Sequence, residues 1–413
     1  MKICLLSYSD GRLGGYAAAY RLHKGLVELG VDSQMVVANS IRDDTSVIAP
    51  QSEKAKVLGK MLSILNYLPL KFYPRRHKSS YSLNWIPDNL PKKIADLNPS
   101  VINLHWVAGG FLQIETLAKF GKPIVWTLHD MWPFTGGCHY SQGCERYTAS
   151  CGACPQLESK SNWDLSRWVW HRKAKAWKNL NLTIVTPSSW LANCAKASSL
   201  FGKLPIHVIP NGLDLEKFRP IAQPTARNLL NLPADKHLIL FGATDAIREP
   251  RKGFDLLQQS LQLLSNFGPK NIELVIFGSS KPNESPNFGF NCHFLGTLND
   301  DLSLVLAYSA ADVFVAPSRE DNLPNTVIES LACGRPCVAF NIGGMPDMIS
   351  HKNNGYLAKP FEVEDLARGI DWVLGEQERL VKLKENARSK AEKEFSQELQ
   401  ARRYLSLFTE LVK

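Results

Sequence analysis

No apolar run in these 413 residues approaches the roughly 18 needed to cross a bilayer as a helix. The amino-terminal KICLLSY is too short for the apolar core of a secretory signal. A cytoplasmic chain is expected. There is no low-complexity tract and no repeat of solenoid length, and the 27 glycines and 24 prolines are scattered rather than clustered. Collagen-like, fibrous and disordered classes are excluded on that ground. Cysteines number nine, an odd count. Cys4, Cys194, Cys292, Cys333 and Cys337 stand in apolar surroundings, where a thiol behaves as a small hydrophobe. A reducing compartment fits that usage better than a disulfide framework. Nucleic-acid-binding motifs and aromatic-basic interleaving are also missing.

What is present is an ordinary folded composition, 44% apolar and 21% charged, long enough for two or three domains at about 150 residues each. Lys and Arg number 48 against 39 Asp and Glu, a net charge of +9. Such a surface attracts nucleotides, phosphates, anionic lipid or nucleic acid. Short β-rich apolar runs alternate with helix-period stretches from end to end, the form of repeated βα units around a parallel sheet. Strands are predicted at 2–8, 33–38, 101–105, 124–129 and 183–186, then at 238–242, 273–278, 312–316 and 336–340. A Pro- and Gly-bearing stretch from Leu204 to Pro220 separates the two sets. The fold class is therefore α/β, with two doubly wound, Rossmann-like parallel-sheet domains covering 1–200 and 206–385. A helical tail, 386–413, is expected to cross back onto the first. Ligands of such sheets bind beyond the carboxyl ends of the strands, and here an interdomain site is expected.

The most informative segment is VFVAPSREDNLPNTVIESLACGRPCVAFNIGGMPDMI, Val313 to Ile349. Asp321 and Glu329 stand with seven residues between them. Positions eight apart on a helix differ by about 80°, so both carboxylates can face one cleft, with a helix N-terminus offering N–H groups to a phosphate between them. A capping Asp and a solvated Glu are the bland alternative. The segment resembles the family 4 retaining glycosyltransferases of GT-B architecture, whose signature is an acid, seven residues, a Glu, then small residues and a Gly. Asp321 stands where that family usually has Glu, and Pro324 replaces a glycine.

The resemblance runs along nearly the whole chain, through VIPNGLDLEKFRP (208–220) and EPRKGF (249–254). It implies that Arg251 and Lys252 hold the diphosphate of a nucleotide-sugar donor, with the backbone about Asn322 and Leu323. Fixed cations of that kind need no metal cofactor. An arginine common in that family's loop is missing from GATDAI, Ala243 holding its place, so Arg248 is the further basic candidate. By the same resemblance Glu329 binds the nucleotide ribose and Asp321 the sugar hydroxyls. The turn at Gly14 and Gly15 approaches the donor phosphate, and His129, in VWTLHDMW, lies near the transferred sugar. The implied activity is transfer of a hexosyl group to a glycan or lipid-linked acceptor in building a polysaccharide, with the first domain on the acceptor side. A GT-B sugar-nucleotide epimerase and a basic zinc-bearing nucleic-acid binder are the alternatives.

Two further features stand outside that signature. Cys138, Cys144, Cys151 and Cys154 form a C-x5-C-x6-C-x2-C array within 17 residues. Four thiols in such a span can close a structural zinc site, with two disulfides or four plain thiols as the alternatives. Between Glu53 and Ser80, Val57, Leu58, Met61, Leu62, Ile64, Leu65 and Leu68 recur near helical spacing, followed by Lys71, Arg75, Arg76 and Lys78. That pattern suits a core helix with a solvated end or a helix resting on an anionic membrane surface, which would make the protein peripheral at the inner face of a membrane.

Overall fold

The computed structural model describes residues 1–243, 247–269, 271–280 and 287–413. Thr244, Asp245 and Ala246, in the GATDAI run, lie outside them. The chain forms two compact units, one of residues 1–210 with 400–413 and one of residues 211–399.

The first unit is built on a parallel sheet of β1 (Lys2–Ser9), β2 (Asp32–Asn39), β3 (Val47–Ile48), β4 (Val101–Leu104), β5 (Ile124–Thr127), β6 (Leu182–Thr186) and β7 (Ile206–Val208). Its order is β3-β2-β1-β4-β5-β6-β7. Successive side chains of a strand point to opposite faces. In β1 this sends Cys4 and Leu6 into one core and Ile3 and Leu5 into the other. Burial on both faces is why the parallel strands read as unbroken apolar runs.

The second unit repeats the plan with β8 (His237–Gly242), β9 (Ile272–Phe277), β10 (Cys292–Phe294), β11 (Val313–Ala316), β12 (Cys337–Phe340) and β13 (Gly355–Ala358). The order β10-β9-β8-β11-β12-β13 matches that of the first six strands of the first sheet. In each sheet the winding reverses beside the first strand, between β1 and β4 and between β8 and β11. That switch point is where an open α/β sheet leaves a crevice.

The tail differs from a single returning helix. It breaks at Phe395 and Ser396 into helices Gln377–Glu394 and Gln397–Val412, and residues 386–399 belong to the second unit. Leu213 N–H donates to the Phe395 carbonyl at 2.8 Å, which pins the break. Beyond it Ala401, Tyr404 and Phe408 pack in the core that covers Ile3 and Leu5. Tyr404 Oη lies 2.9 Å from Thr127 Oγ1 on β5.

Candidate active site

In the second unit, β8 leads through a turn at Pro250–Lys252 into helix Phe254–Phe267, and β11 leads through Pro317–Pro324 into helix Asn325–Ala332. The two loops meet at a buried carboxylate. Asp321 Oδ2 accepts from Lys252 Nζ at 2.7 Å and lies 3.2 Å from Arg251 Nη1. The Ser318 hydroxyl donates to the same oxygen at 3.3 Å, and Asn322 N–H donates to Oδ1 at 3.1 Å. Arg251 also donates to the Glu320 carbonyl at 2.9 Å, and Arg319 N–H donates to the Arg251 carbonyl at 2.8 Å. Burial alone would raise the Asp321 pKa. The Lys252 and Arg251 charges more than offset this and hold it below the ordinary carboxylate value. Burial likewise lowers the Lys252 pKa, against the pull of Asp321.

Two aspects differ from the helical-wheel expectation. Asp321 lies in the loop before the helix, so only Glu329 is on it. The Asn322 N–H is engaged by Asp321, and the Leu323 side chain packs into the core. Asp321 is held from the far side as well. Gly344 N–H donates to its carbonyl at 3.0 Å, and a Cβ on Gly343, whose φ is +53°, would fall on that same oxygen. Glu329 is buried within the helix and accepts from the Tyr308 hydroxyl at 3.1 Å. Ala243 is buried in the core after β8, and Arg248 is exposed.

In the first unit, residues beyond β1, β4 and β5 gather in the same relative place. His129 lies two positions past β5, and its Nε2 is 3.0 Å from Nδ1 of His105, just past β4. His105 Nε2 is 2.9 Å from Asn103 Oδ1. The Asn103 amide nitrogen donates to the Val125 carbonyl and Thr127 Oγ1, so Oδ1 is the acceptor for His105 Nε2–H. His105 Nδ1 then accepts, and His129 must carry its proton on Nε2. Burial lowers the His129 pKa to about 4, with Asp130 opposing, so the ring is neutral at pH 7. The helix Gly14–Glu28 starts against this ring. A Cβ at Gly15 would stand 2.8 Å from His129 Cγ, and Gly14 takes a φ of +54° to make the turn. Asp130 Oδ2 accepts from Trp106 Nε1–H at 2.8 Å and pairs with His139 Nδ1 at 2.6 Å. Tyr8, Tyr16 and Trp106 pack edge-on around the same loops.

The profile of glycosyltransferase family 4 matches residues 14–217, and that of glycosyl transferases group 1 matches residues 223–390. The chain belongs to the group 1 glycosyltransferases of family 4. It is 27% identical over 288 residues, 65% of this chain and 66% of the other, to a protein of Escherichia coli K12 described as a colanic acid biosynthesis glycosyl transferase. It is 28% identical over 310 residues, 73% of this chain and 55% of the other, to the sulfoquinovosyl transferase of Arabidopsis thaliana. It thus spans roughly half to two thirds of the length of the curated relatives it matches. Sucrose-phosphate synthase of Thermosynechococcus elongatus superposes with a TM-score of 0.72 at 20% identity, over 100% of this chain and 99% of that one. Anabaena HepE, solved in complex with UDP, superposes with a TM-score of 0.63 at 16% identity, over 99% and 100%. These likenesses show the GT-B fold.

Sequence reasoning about this glycosyltransferase missed His105, Asn103, Trp106 and Tyr308. His105 carries the one signal that was available, since it follows a strand as His129 does. The cysteine array lies in the loop after His129, where Cys138, Cys144, Cys151 and Cys154 line one cavity of about 20 Å³. All four are free thiols. Backbone N–H groups of Leu157 and Gln156 point to the Cys154 sulfur, and that of Gly136 to Cys151. Burial pushes the Cys151 thiol up to about 12 and Cys138 higher still. Among the described residues no three His, Cys, Asp or Glu side chains stand at metal-ligand spacing. An all-sulfur donor set suits zinc in kind, so an ion would have to draw these sulfurs inward. His139, beside Cys138, is turned away to Asp130 and to Ser82 Oγ at 2.9 Å. Lys173, missed altogether, is wholly buried beneath the loop and donates to the Trp132 and Thr135 carbonyls.

Proposed function

We propose that the protein transfers a glycosyl group from a nucleoside-diphosphate sugar to a hydroxyl acceptor with retention of configuration, in building a polysaccharide or lipid-linked glycan. The observation that carries this reading is the cluster of Arg251, Lys252 and Asp321 at the carboxyl end of the second sheet, within the group 1 match. A structural neighbour solved with UDP-glucose supports the class of donor.

Departure of a nucleoside diphosphate builds negative charge on its bridging oxygen. Two cations already held in place lower that barrier without reorganising during the reaction. Arg251 and Lys252 take this role. Asp321, whose carboxylate oxygens are occupied by Lys252, Ser318 and Asn322, orients the cations, in place of the sugar contact expected for it. Glu329 accepts the ribose hydroxyls, with Tyr308 fixing its carboxylate. His129, neutral and locked as the Nε2–H tautomer, offers its ring to the transferred sugar. No covalent nucleophile is assigned, and retention follows from attack on the face the diphosphate leaves. For the cysteine array we propose one structural zinc that closes the loop from Cys138 to Cys154.

The test is incubation of the purified protein with a panel of sugar nucleotides, following nucleoside diphosphate release and the anomeric configuration of product by NMR. Release with no acceptor-dependent product, or epimerised donor, would reject transfer.

A further inference from the structure

Helix Glu53–Asn66 runs into a turn at Leu68–Phe72, and within the helix only Asn66 is buried. Val57, Leu58, Met61, Ile64 and Leu65 follow the 3.6-residue period that ordinarily seats a helix on a core. Here that face looks outward. Ile64 is 66% exposed, Val57, Leu58 and Met61 are each more than half exposed, and Phe72 beyond them is 86% exposed. The helix is fixed to the first unit at its end. Ser63 Oγ donates to the Gly109 carbonyl at 2.9 Å, and Trp85 donates from its backbone and its indole to Asn66, both at 3.2 Å. The apolar face is thus displayed on an anchored element.

Along the helix and the segment that follows it the charge is nearly all of one sign. Lys54, Lys56, Lys60, Lys71, Arg75 and Lys78 are exposed and Arg76 half-buried, while Glu53 is the only acid from 53 to 78 and is paired with Lys56 at 2.6 Å. A second copy docking through the same face would set this basic ring against itself, since a twofold interface is self-complementary. No helix among the described residues is long and apolar enough to cross a membrane.

We propose that this face docks on an anionic lipid surface, with Val57, Leu58, Met61, Ile64 and Phe72 entering the headgroup boundary and the lysines and arginines meeting the phosphates. An apolar stripe sunk a few ångströms into the interface and flanked by basic residues is the physical form of such binding. The anchored end abuts Gly109 and Gly110, next to the Tyr8 and Trp106 rings at the carboxyl end of the first sheet. Resting on the glycosyl-transfer reading, this gives the acceptor class: a hydroxyl on a lipid-linked glycan, reaching the site from the membrane.

The experiment is co-sedimentation of the full chain with phosphatidylglycerol vesicles and with phosphatidylcholine vesicles. Binding should require phosphatidylglycerol, weaken as salt is raised, and fall about fivefold for each basic residue removed in Arg75→Ala and Lys78→Ala. Ile64→Asp with Phe72→Asp should abolish it. The substituted side chains are exposed, so thermal unfolding should be unchanged. No binding to phosphatidylglycerol, or equal binding by the Asp variants, overturns the proposal, as does self-association by sedimentation equilibrium that the Asp variants abolish. The assay contains no nucleotide, so its failure leaves glycosyl transfer standing. Failure to release nucleoside diphosphate would in turn leave the docking intact.

Discussion

Lys252 Nζ stands 2.7 Å from Asp321 Oδ2, an ion pair that joins the loop after β8 to the loop after β11 in the second unit, with Arg251 Nη1 3.2 Å from the same oxygen. The pair fixes where the ammonium can point before any ligand arrives, and preorganisation of that kind is what electrostatic catalysis requires.

If Lys252 meets charge that grows as the diphosphate leaves, its loss must harm the transition state more than the bound donor. Lys252→Ala should therefore lower kcat about a hundred- to a thousandfold while donor binding weakens much less. Steady-state kinetics beside calorimetric titration of the nucleoside diphosphate measures both. Normal turnover at saturating donor would show that the wrong residue, or the wrong reaction, has been assigned.

Asp321 should matter more than Lys252 for stability. Removing the carboxylate strands the Lys252 ammonium and the Ser318 hydroxyl and takes one partner from Arg251, and breaking a buried pair in this sense costs about 3–5 kcal/mol. Lys252→Met leaves the carboxylate held by Arg251, Ser318 and the Asn322 N–H, so its loss should be smaller. Urea unfolding of Asp321→Ala and Lys252→Met gives the order, and the reverse order would remove Asp321 from its orienting role.

Glu329 sits on the helix, and the proposed ribose contact is remote from the breaking bond. Glu329→Gln should act through donor affinity, raising KM with kcat little changed, because uniform binding is lost equally from ground and transition states. Tyr308→Phe, which removes a hydroxyl that donates to Glu329, should follow the same pattern more weakly. A kcat effect in either variant contradicts this assignment.

The parts of the fold that were legible are those buried on both faces. Nine predicted strands match β1, β2, β4, β5, β6, β8, β9, β11 and β12 within a few residues. The four that escaped notice, β3, β7, β10 and β13, are the edges of the two sheets. Edge strands are short and only partly covered, so they carry no unbroken apolar run. At the site, Asp321 and Glu329 were visible from their spacing, and Arg251 and Lys252 were visible from the resemblance to the family 4 glycosyltransferases. The pairing of Asp321 with Lys252 was not, since it joins positions 69 residues apart. His105 and Asn103 escaped for the same reason, because parallel-strand neighbours meet only once the sheet exists.

The cysteine array makes a compositional prediction. One zinc per chain should be found by elemental analysis of protein purified without added metal, and chelation should lower the melting temperature. Cys151→Ser or Cys154→Ser should lose both the metal and the chelator sensitivity. Metal-free protein with four freely titratable thiols would leave the array as packed sulfur.

The last prediction concerns acid. His23 is wholly buried between Ser33 Oγ and Ser46 Oγ at 2.9 and 2.8 Å, and burial lowers its pKa to about 4. Burial likewise lowers that of His129 to about 4, and that of His105 well below the ordinary value. Between pH 6.5 and 4 an unfolded histidine binds a proton that these three refuse when folded. The unfolded state then binds more protons, so stability must rise with pH across that interval. It is complete above pH 6.5 and drains away as pH falls toward 4. A pKa unit corresponds to about 1.36 kcal/mol, so His23 alone is responsible for about 3 kcal/mol across the window. The carboxylates with lowered pKa values, Asp44, Asp130 and Asp321 among them, lose their contributions only below the ordinary carboxylate range. The interval from pH 6.5 to about 4.5 therefore isolates the histidines. Urea unfolding at a series of pH values should show the decline, and His23→Gln, which keeps a polar partner for the serines, should flatten part of it. A stability that holds level from pH 7 to 4.5 would mean that these rings are protonated in the fold, and the tautomer assigned to His129 would fall with that result.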